Sequence, residues 1–336
     1  MKRYLLFILF ALLIPYYIFG ASNINAPEWM NITVGARANA LGKQFAAFSD
    51  DATTLFNNPA GQPHLFPEDS SFNTAWLSAT YGYLPGERHF SAISTSVNLG
   101  KVILGVGGIY TNGINNLDSG FNPADNERDY AYMPVVSLAG FLGDMEQFSI
   151  GGNIKFFSEK ADGVQSTGMA FDIGGYVQLM GTITVGFVMK NLGYIKYSGQ
   201  SVRLIAPTVS AGIGYNPAGR RNFGFCLHIE KETGSSSSKF VGSGGLFMAI
   251  FSQETSVSSS SASETALLQS LETSRRRRQS ESYFNVIYLN LGFYGQKVFS
   301  CGLTFNIFTF KIDYAFVLTA ESNIKYSHYV TLEKRF

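Results

Sequence analysis

The run Phe299-Ser300-Cys301-Gly302-Leu303-Thr304-Phe305-Asn306-Ile307 alternates strictly between two kinds of residue. Phe299, Cys301, Leu303, Phe305 and Ile307 are apolar, whereas Ser300, Gly302, Thr304 and Asn306 are small or polar. A period of two belongs to a β-strand whose two faces meet different surroundings. The same pattern sets Phe148, Ile150, Ile154 and Phe156 against Gln147, Ser149, Asn153 and Lys155. It also sets Val209, Ala211, Ile213 and Tyr215 against Thr208, Ser210, Gly212 and Asn216. In a soluble sandwich the polar face meets bulk water and is usually rich in Lys and Glu. Here Ser, Thr, Asn and Gly dominate it, as suits the lining of a crowded lumen.

Working outward, segments of about ten residues between turn signals number about 14. They fall near 71–83, 89–99, 101–111, 129–142, 146–158, 167–179, 182–191, 207–216, 221–231, 239–251, 282–294, 297–308, 309–319 and 325–336. Composition agrees with a sheet that faces lipid: 15% of the 336 residues are charged, 15% are aromatic and 35 are Gly, against roughly 25% charged in soluble domains. A helical membrane protein needs runs of about 20 unbroken apolar residues, and none follows the N-terminus. A barrel is the remaining way to span a membrane. The net charge of +1 supplies no field for nucleic acid. Cys226 and Cys301 fall on opposite faces of non-adjacent strands, so no disulfide is expected. If the first strand runs outward, the long connections 112–128 and 192–206 lie outside and the tight turns 143–145 and 180–181 inside. The long segment 252–281 then falls on the inside and the short turn 295–296 outside, against the usual pattern.

Both ends of the chain carry signals. Lys2 and Arg3 precede an apolar run at 4–14, broken at Pro15, with a small-residue exit at Gly20, Ala21 and Ser22. This reads as an export signal, residues 1–21, cleaved near Ala21; the run is short for a membrane anchor. At the other end Tyr326, His328, Val330, Leu332, Lys334 and Phe336 share one face. A chain that stops on Phe336 after an alternating strand carries the assembly signal that the barrel-assembly machinery commonly reads. The expected location is the outer membrane of a diderm bacterium, with outer-membrane lipid around the wall.

Residues 22–69 do not alternate. Leu41, Phe45 and Phe48 stand at helical spacings, and Asp50 and Asp51 are placed to cap a short turn through residues 52–56. Pro59 keeps Asn58 out of the helical region. Irregular backbone cannot face lipid, so this segment belongs in the lumen or the periplasm. The run Gly35-Ala36-Arg37-Ala38-Asn39-Ala40-Leu41-Gly42, continuing through Ala46-Ala47-Phe48-Ser49-Asp50-Asp51-Ala52-Thr53-Thr54-Leu55 to Asn57-Asn58-Pro59-Ala60-Gly61, resembles the N-terminal signature of FadL-like outer-membrane proteins. Within that group it is most similar to the PorV/PorQ-type branch and to an uncharacterised spirochaetal family of exported proteins.

The resemblance implies an all-β transmembrane antiparallel barrel of about 14 strands over 70–336, with residues 22–69 as a small helical plug in the lumen. It implies passage of a hydrophobic small molecule such as a long-chain fatty acid, gated by the plug. The PorV-type side implies an alternative, a non-transporting barrel that docks a partner in protein secretion to the surface; a structural surface antigen is a third reading. Asn58-Pro59-Ala60 matches the family's N-P-A triplet. Two departures stand out: Lys43 occupies a position where a second Gly is usual, and the insertion 252–282 is outside the common pattern.

The expected plug or gate residues are Arg37, Asp50, Asp51, Asn58, Pro59 and Ala60. Lys155, Asp172, Lys190, Glu230, Lys311 and Asp313 fall on the lumen face, and are expected to pair across the barrel or with Arg37, Asp50 and Asp51. In the Ser-rich insertion, Arg275, Arg276, Arg277 and Arg278 offer an anionic contact, to phosphate-bearing lipid or an acidic partner, beside the plainer reading of a solvated linker. Within it Ser261 to Glu264 has capping-box spacing, with Leu267, Leu268 and Leu271 beyond. His64, His89, His228 and His328 are isolated, without metal-ligand spacing, and no nucleophile elbow or phosphate loop occurs. The expectation is a non-enzyme without cofactor or metal, a monomer that takes no nucleic acid.

Overall fold

The computed structural model describes residues 24–43, 46–48, 51–66, 74–86, 88–112, 129–142, 145–161, 163–216, 223–233, 240–255, 283–307, 309–320 and 324–336. The export signal 1–21, Asp50 and the run Arg275 to Arg278 lie outside these residues. Fifteen strands follow one another along the chain. They are β1 (Ala75–Leu84), β2 (Arg88–Asn98), β3 (Val102–Asn112), β4 (Tyr130–Leu142), β5 (Met145–Ala161), β6 (Val164–Leu179), β7 (Ile183–Tyr197) and β8 (Val202–Ile205). Then come β9 (Thr208–Tyr215), β10 (Phe223–Glu232), β11 (Val241–Thr255), β12 (Tyr283–Tyr294), β13 (Val298–Ile307), β14 (Phe310–Ala320) and β15 (Ile324–Arg335).

Every pairing between them is antiparallel, and β1 closes on β15 in a register running from Trp76 opposite Arg335 to Tyr83 opposite His328. Facing β7, Thr208 of β9 lies opposite Lys190 and Ile205 of β8 opposite Gly193, so β8 and β9 are two pieces of one wall strand interrupted at Ala206 and Pro207. The fifteen strands therefore make a closed ring of 14. Closure pairs the wall strands along their ladders, which is what a lipid surround demands, except at the outer edge of β8, where no strand among the described residues lies alongside.

The connection expected at 192–206 is mostly strand: β7 runs on to Tyr197 and β8 returns from Val202. The cause is a bulge. Asn191 has φ 62, and the β6–β7 register shifts between Phe171 and Ile173, so the alternation slips there and Asn191-Leu192-Gly193 mimics a turn. With 14 wall strands, the connection from β11 to β12 leaves from the same end of the barrel as the turns at 99–101 and 180–182 and the terminal Phe336.

The two faces divide as the alternation requires. Ile93 and Leu138 on the outer face are each 57% exposed, and Tyr81, Tyr110, Phe156, Phe187, Leu227 and Phe299 stand out beside them. Contiguous apolar surface on this scale marks contact with lipid. The inner face buries Ser94, Ser96, Ser137, Ser149, Asn153, Thr304 and Thr331. Cys226 is buried and Cys301 exposed, and neither is in a disulfide. Among the described residues no helix is long and apolar enough to cross a membrane.

Candidate functional site on the inner wall

Residues 24–66 form short helical pieces: 3-10 turns at Glu28–Asn31 and Pro59–Leu65, and α-helices at Ala36–Ala40 and Thr54–Asn57. Pieces this short leave most of their backbone without helical partners, and buried carbonyls need one. The wall supplies them. Ser94 donates to the Ala52 carbonyl at 3.0 Å, Ser149 to Ala60 at 2.5 Å, Asn153 to Leu55 at 2.8 Å, Thr184 to Ala47 at 2.5 Å and Ser300 to Ala40 at 2.9 Å. In return the Ala36 N–H donates to the Thr331 hydroxyl at 2.8 Å. These donors and the acceptor sit on β2, β5, β7, β13 and β15, so the segment is tied to strands around the ring. Glycine lets the two backbones meet: a Cβ on Gly292 would lie 2.2 Å from the Gly42 nitrogen, and one on Gly245 2.5 Å from the Leu41 carbonyl oxygen.

The helix stands earlier than the Leu41, Phe45 and Phe48 spacing suggests. It ends at Ala40 because Gly42 (φ 82) and Lys43 (φ 62) turn the chain into left-handed conformations, and Phe48 lies outside any helix. Asp51 does act at the start of the next turn. Its carboxylate accepts from the Thr53 N–H at 2.9 Å and from the Thr53 hydroxyl, just ahead of Thr54–Asn57. Asn58 is extended (φ −146, ψ 102), as Pro59 requires, and its Oδ1 accepts from the Ala60 N–H at 3.1 Å. Its Nδ2 donates to the Ala46 carbonyl at 2.6 Å, so the Asn58-Pro59-Ala60 triplet ties two parts of the segment together.

The charged groups gather in three places. Arg37 is buried with its guanidinium 5.3, 5.1 and 5.4 Å from the ring centres of Phe48, Phe247 and Tyr288, an arrangement that replaces water with aromatic faces. Lys311 reaches Asp51 at 3.4 Å, Asp313 at 3.5 Å and Glu333 at 3.8 Å, which joins the N-terminal segment to β14 and β15. One oxygen from each of the three carboxylates lies within 4.8 Å of the others, the spacing of a cation site, and the Lys311 ammonium supplies the cation. Lys155 pairs with Asp172 at 2.7 Å inside a network that includes Asn153 and Asn191, and Asn191 donates to Asn31 of the segment at 2.8 Å. Lys190 and Glu230 lie on β7 and β10 and act on one another, Lys190 also feeling Lys155 and Asp172, and His228 is 3.7 Å from Glu230.

The structure thus brings Asp51, Lys311 and Asp313 together, and Arg37, packed on its three rings, also acts on Asp313. Glu333 went unread, although it occupies an inner-face position by the same alternation that puts Leu332 and Lys334 outside, directly opposite Lys311. His64, read in the sequence as isolated from the other histidines, has aromatic and hydroxyl partners on the wall. It packs on Phe141 and Tyr176, with ring centres 5.1 and 4.6 Å away, and its Nε2 lies 3.0 Å from the Ser149 hydroxyl. That hydroxyl gives its one proton to Ala60, so Nε2 carries the ring proton and donates it.

Burial pushes the His64 pKa from 6.5 down to about 4, against a smaller upward pull from Gln178. The unfolded chain takes up the proton near pH 6.5, and the folded chain only near 4. The His64 contribution is therefore full above pH 6.5 and lost as the pH falls toward 4. Amide hydrogen exchange across residues 59–66 should accelerate between pH 7.5 and 4.5, after correction for intrinsic rates. His64→Gln should remove that pH dependence, and an unchanged profile in the variant would refute the assignment.

A closed ring of 14 antiparallel strands, apolar outside and bonded on its inner face to its own N-terminal residues, defines the class as an outer-membrane-type β-barrel. Among solved structures the chain is similar to the Ralstonia pickettii toluene transporter TbuX (10% identity, TM-score 0.53, covering 90% of this chain and 98% of that one). It is similar as well to the P. putida toluene transporter TodX (8%, TM-score 0.55, 90% and 98%) and to a Pseudomonas aeruginosa FadL homologue (10%, TM-score 0.50, 90% and 97%). At these identities the likeness is one of fold. No protein-family model and no curated protein sequence matches the chain.

Proposed function

We propose that this chain is an outer-membrane channel for hydrophobic small molecules, long-chain fatty acids among them, in which residues 22–69 act as a movable plug. One observation carries the reading: the N-terminal residues complete a stretch of wall that, among the described residues, the strands leave open. β10 ends opposite Thr208, with the Thr233 N–H on the Pro207 carbonyl at 3.1 Å, so β8 has no β10 partner among the described residues. Ile24 takes that edge instead, donating to the Leu204 carbonyl at 3.0 Å and accepting from the Ala206 N–H at 2.8 Å in a parallel bridge. An unpaired strand edge in lipid is costly, and a segment that covers one through two hydrogen bonds can leave and return. A ligand that binds better when the segment has moved shifts the population toward that state. The toluene transporters and the FadL homologue of similar fold support the hydrophobic class of ligand.

The test is mass spectrometry of lipids extracted from the purified protein after incubation with mixed fatty acids in neutral detergent. Retention of fatty acid well above that of an unrelated barrel of similar size is expected. Equal retention would sink the proposal.

A further inference from the structure

The lipid-facing side of the wall is hollowed where β15 and β1 to β4 run side by side. The groove there has a volume of about 770 Å³ and an almost wholly apolar lining, within the ~300–1,000 Å³ over which pockets hold small molecules. Two rows of side chains shape it. Tyr81, Ser91, Tyr110 and Tyr132 lie opposite one another across β1 to β4, and Ala79, Ile93, Gly108 and Pro134 form the next row toward the middle of the wall. The tyrosines and Ile93 project outward, and the small residues between them leave the floor low.

Neither backbone nor packing calls for glycine at 108. Its φ is not positive, and a Cβ there would meet nothing nearer than the Met133 carbonyl oxygen at 3.6 Å. The adjoining Gly107, by contrast, faces inward, with Phe56 of the N-terminal segment 2.9 Å from where its Cβ would lie. A glycine inside a strand weakens it and marks a place where something else comes close. Pro134 has no N–H to give, and the β4–β5 ladder skips Met133 and Pro134. Ser91 adds a third sign. It is exposed on the lipid side, and its hydroxyl makes no hydrogen bond among the described residues, whereas the Tyr81 hydroxyl is bonded to His89 Nδ1 at 2.5 Å.

Depth identifies the missing acceptor. Ser91 lies three residues in from the start of β2 at Arg88, about 10 Å along the strand and, at a tilt near 40°, roughly 8 Å below its end. That is the level of the tyrosine row, and aromatic girdles mark the border between head groups and hydrocarbon. The ester carbonyls of a glycerophospholipid sit at that border, and they accept hydrogen bonds without donating. We propose that the groove holds one acyl chain of a glycerophospholipid, its ester carbonyl bonded to Ser91 and its methylenes lying over Gly108 and Pro134. The lipid belt continues into the groove without a break. A second barrel is convex and would bridge the groove, whereas a single chain follows it. The proposal concerns the outer face and is independent of what passes through the lumen.

The test is native mass spectrometry of the full chain in neutral detergent after incubation with dipalmitoyl phosphatidylcholine or its diether analogue, which has the same chains and no carbonyl. The ester lipid should be retained about fivefold better, the scale of one neutral hydrogen bond. Ser91→Ala should remove that difference, and serves alone if the next variant fails to fold. Gly108→Phe, which fills the groove from outside, should lose both lipids. Gly175→Phe is the control: it adds the same ring on the outer face of β6, where a Cβ meets nothing within 4 Å, and should retain both. Heat-modifiable gel migration reports the fold of each variant. Equal retention of the two lipids by the wild type, an ester preference that survives Ser91→Ala, or Gly108→Phe and Gly175→Phe variants that behave alike would overturn the proposal. A wild-type dimer that Gly108→Phe converts to monomer, with lipid retention unchanged, would overturn it in favour of a second copy.

Discussion

A disulfide between Ala36→Cys and Thr331→Cys, formed by oxidation in a Cys301→Ser background, is expected to stop uptake of labelled oleate, and reduction to restore it. The site suits a crosslink. The Ala36 nitrogen lies 2.8 Å from Thr331 Oγ1, which by bond lengths alone keeps the two Cα atoms within about 6.7 Å, inside the disulfide range. Ala36 opens the helix at Ala36–Ala40, and Thr331 is fully buried on the last wall strand, so the bond would pin the segment where it rests. Cys226 is buried and leaves little competition, whereas Cys301 is exposed and is removed for that reason. Uptake is measured in cells of a diderm host that lack their own fatty-acid channel. Passage at the same rate in the oxidised and reduced states would mean that the N-terminal segment does not move along this edge.

Lys311→Met should free the N-terminal segment from the wall. The ammonium lies 3.4 to 3.8 Å from Asp51, Asp313 and Glu333, all buried. Without it three carboxylates face one another, and removing one partner of a buried charge group typically costs about 3–5 kcal/mol. The segment is the part able to respond, because Asp51 sits on short turns and the other two on paired strands. Protection of the amides at 51–57 against hydrogen exchange should therefore fall far more than that of β14 and β15. Adding Asp51→Asn removes one of the repelling charges and should recover part of the loss, a coupling that a double-mutant cycle reads directly. Equal loss in the wall and in the segment would show that Lys311 serves only the barrel.

The strands were legible because the two faces of this wall differ so sharply. The alternation over residues 299–307 became β13, and the face shared by Tyr326 and Phe336 became the outer face of β15. β7 beyond Asn191 was not legible, since one bulge shifts the parity and a reading of period two takes the slip for an ending. The small polar residues of the lining could be placed on the inner face, but not explained. Ser94, Ser149, Thr184 and Ser300 each answer one carbonyl of a segment far away in sequence. The contact between Asp51 and Lys311 spans 260 residues, and no local spacing records it.

The ring closes between β1 and β15, and Ala36 is bonded to Thr331, 295 residues further along the chain. Such distant partners impose an order on biogenesis, because contacts of long sequence separation form after the loops between them have closed. The bond from Ala36 to Thr331 thus waits until the final strand completes the wall, while the contact of Ala52 with Ser94, 42 residues away, can form early. Closing the barrel and fixing Ala36 to its last strand belong to the same late step.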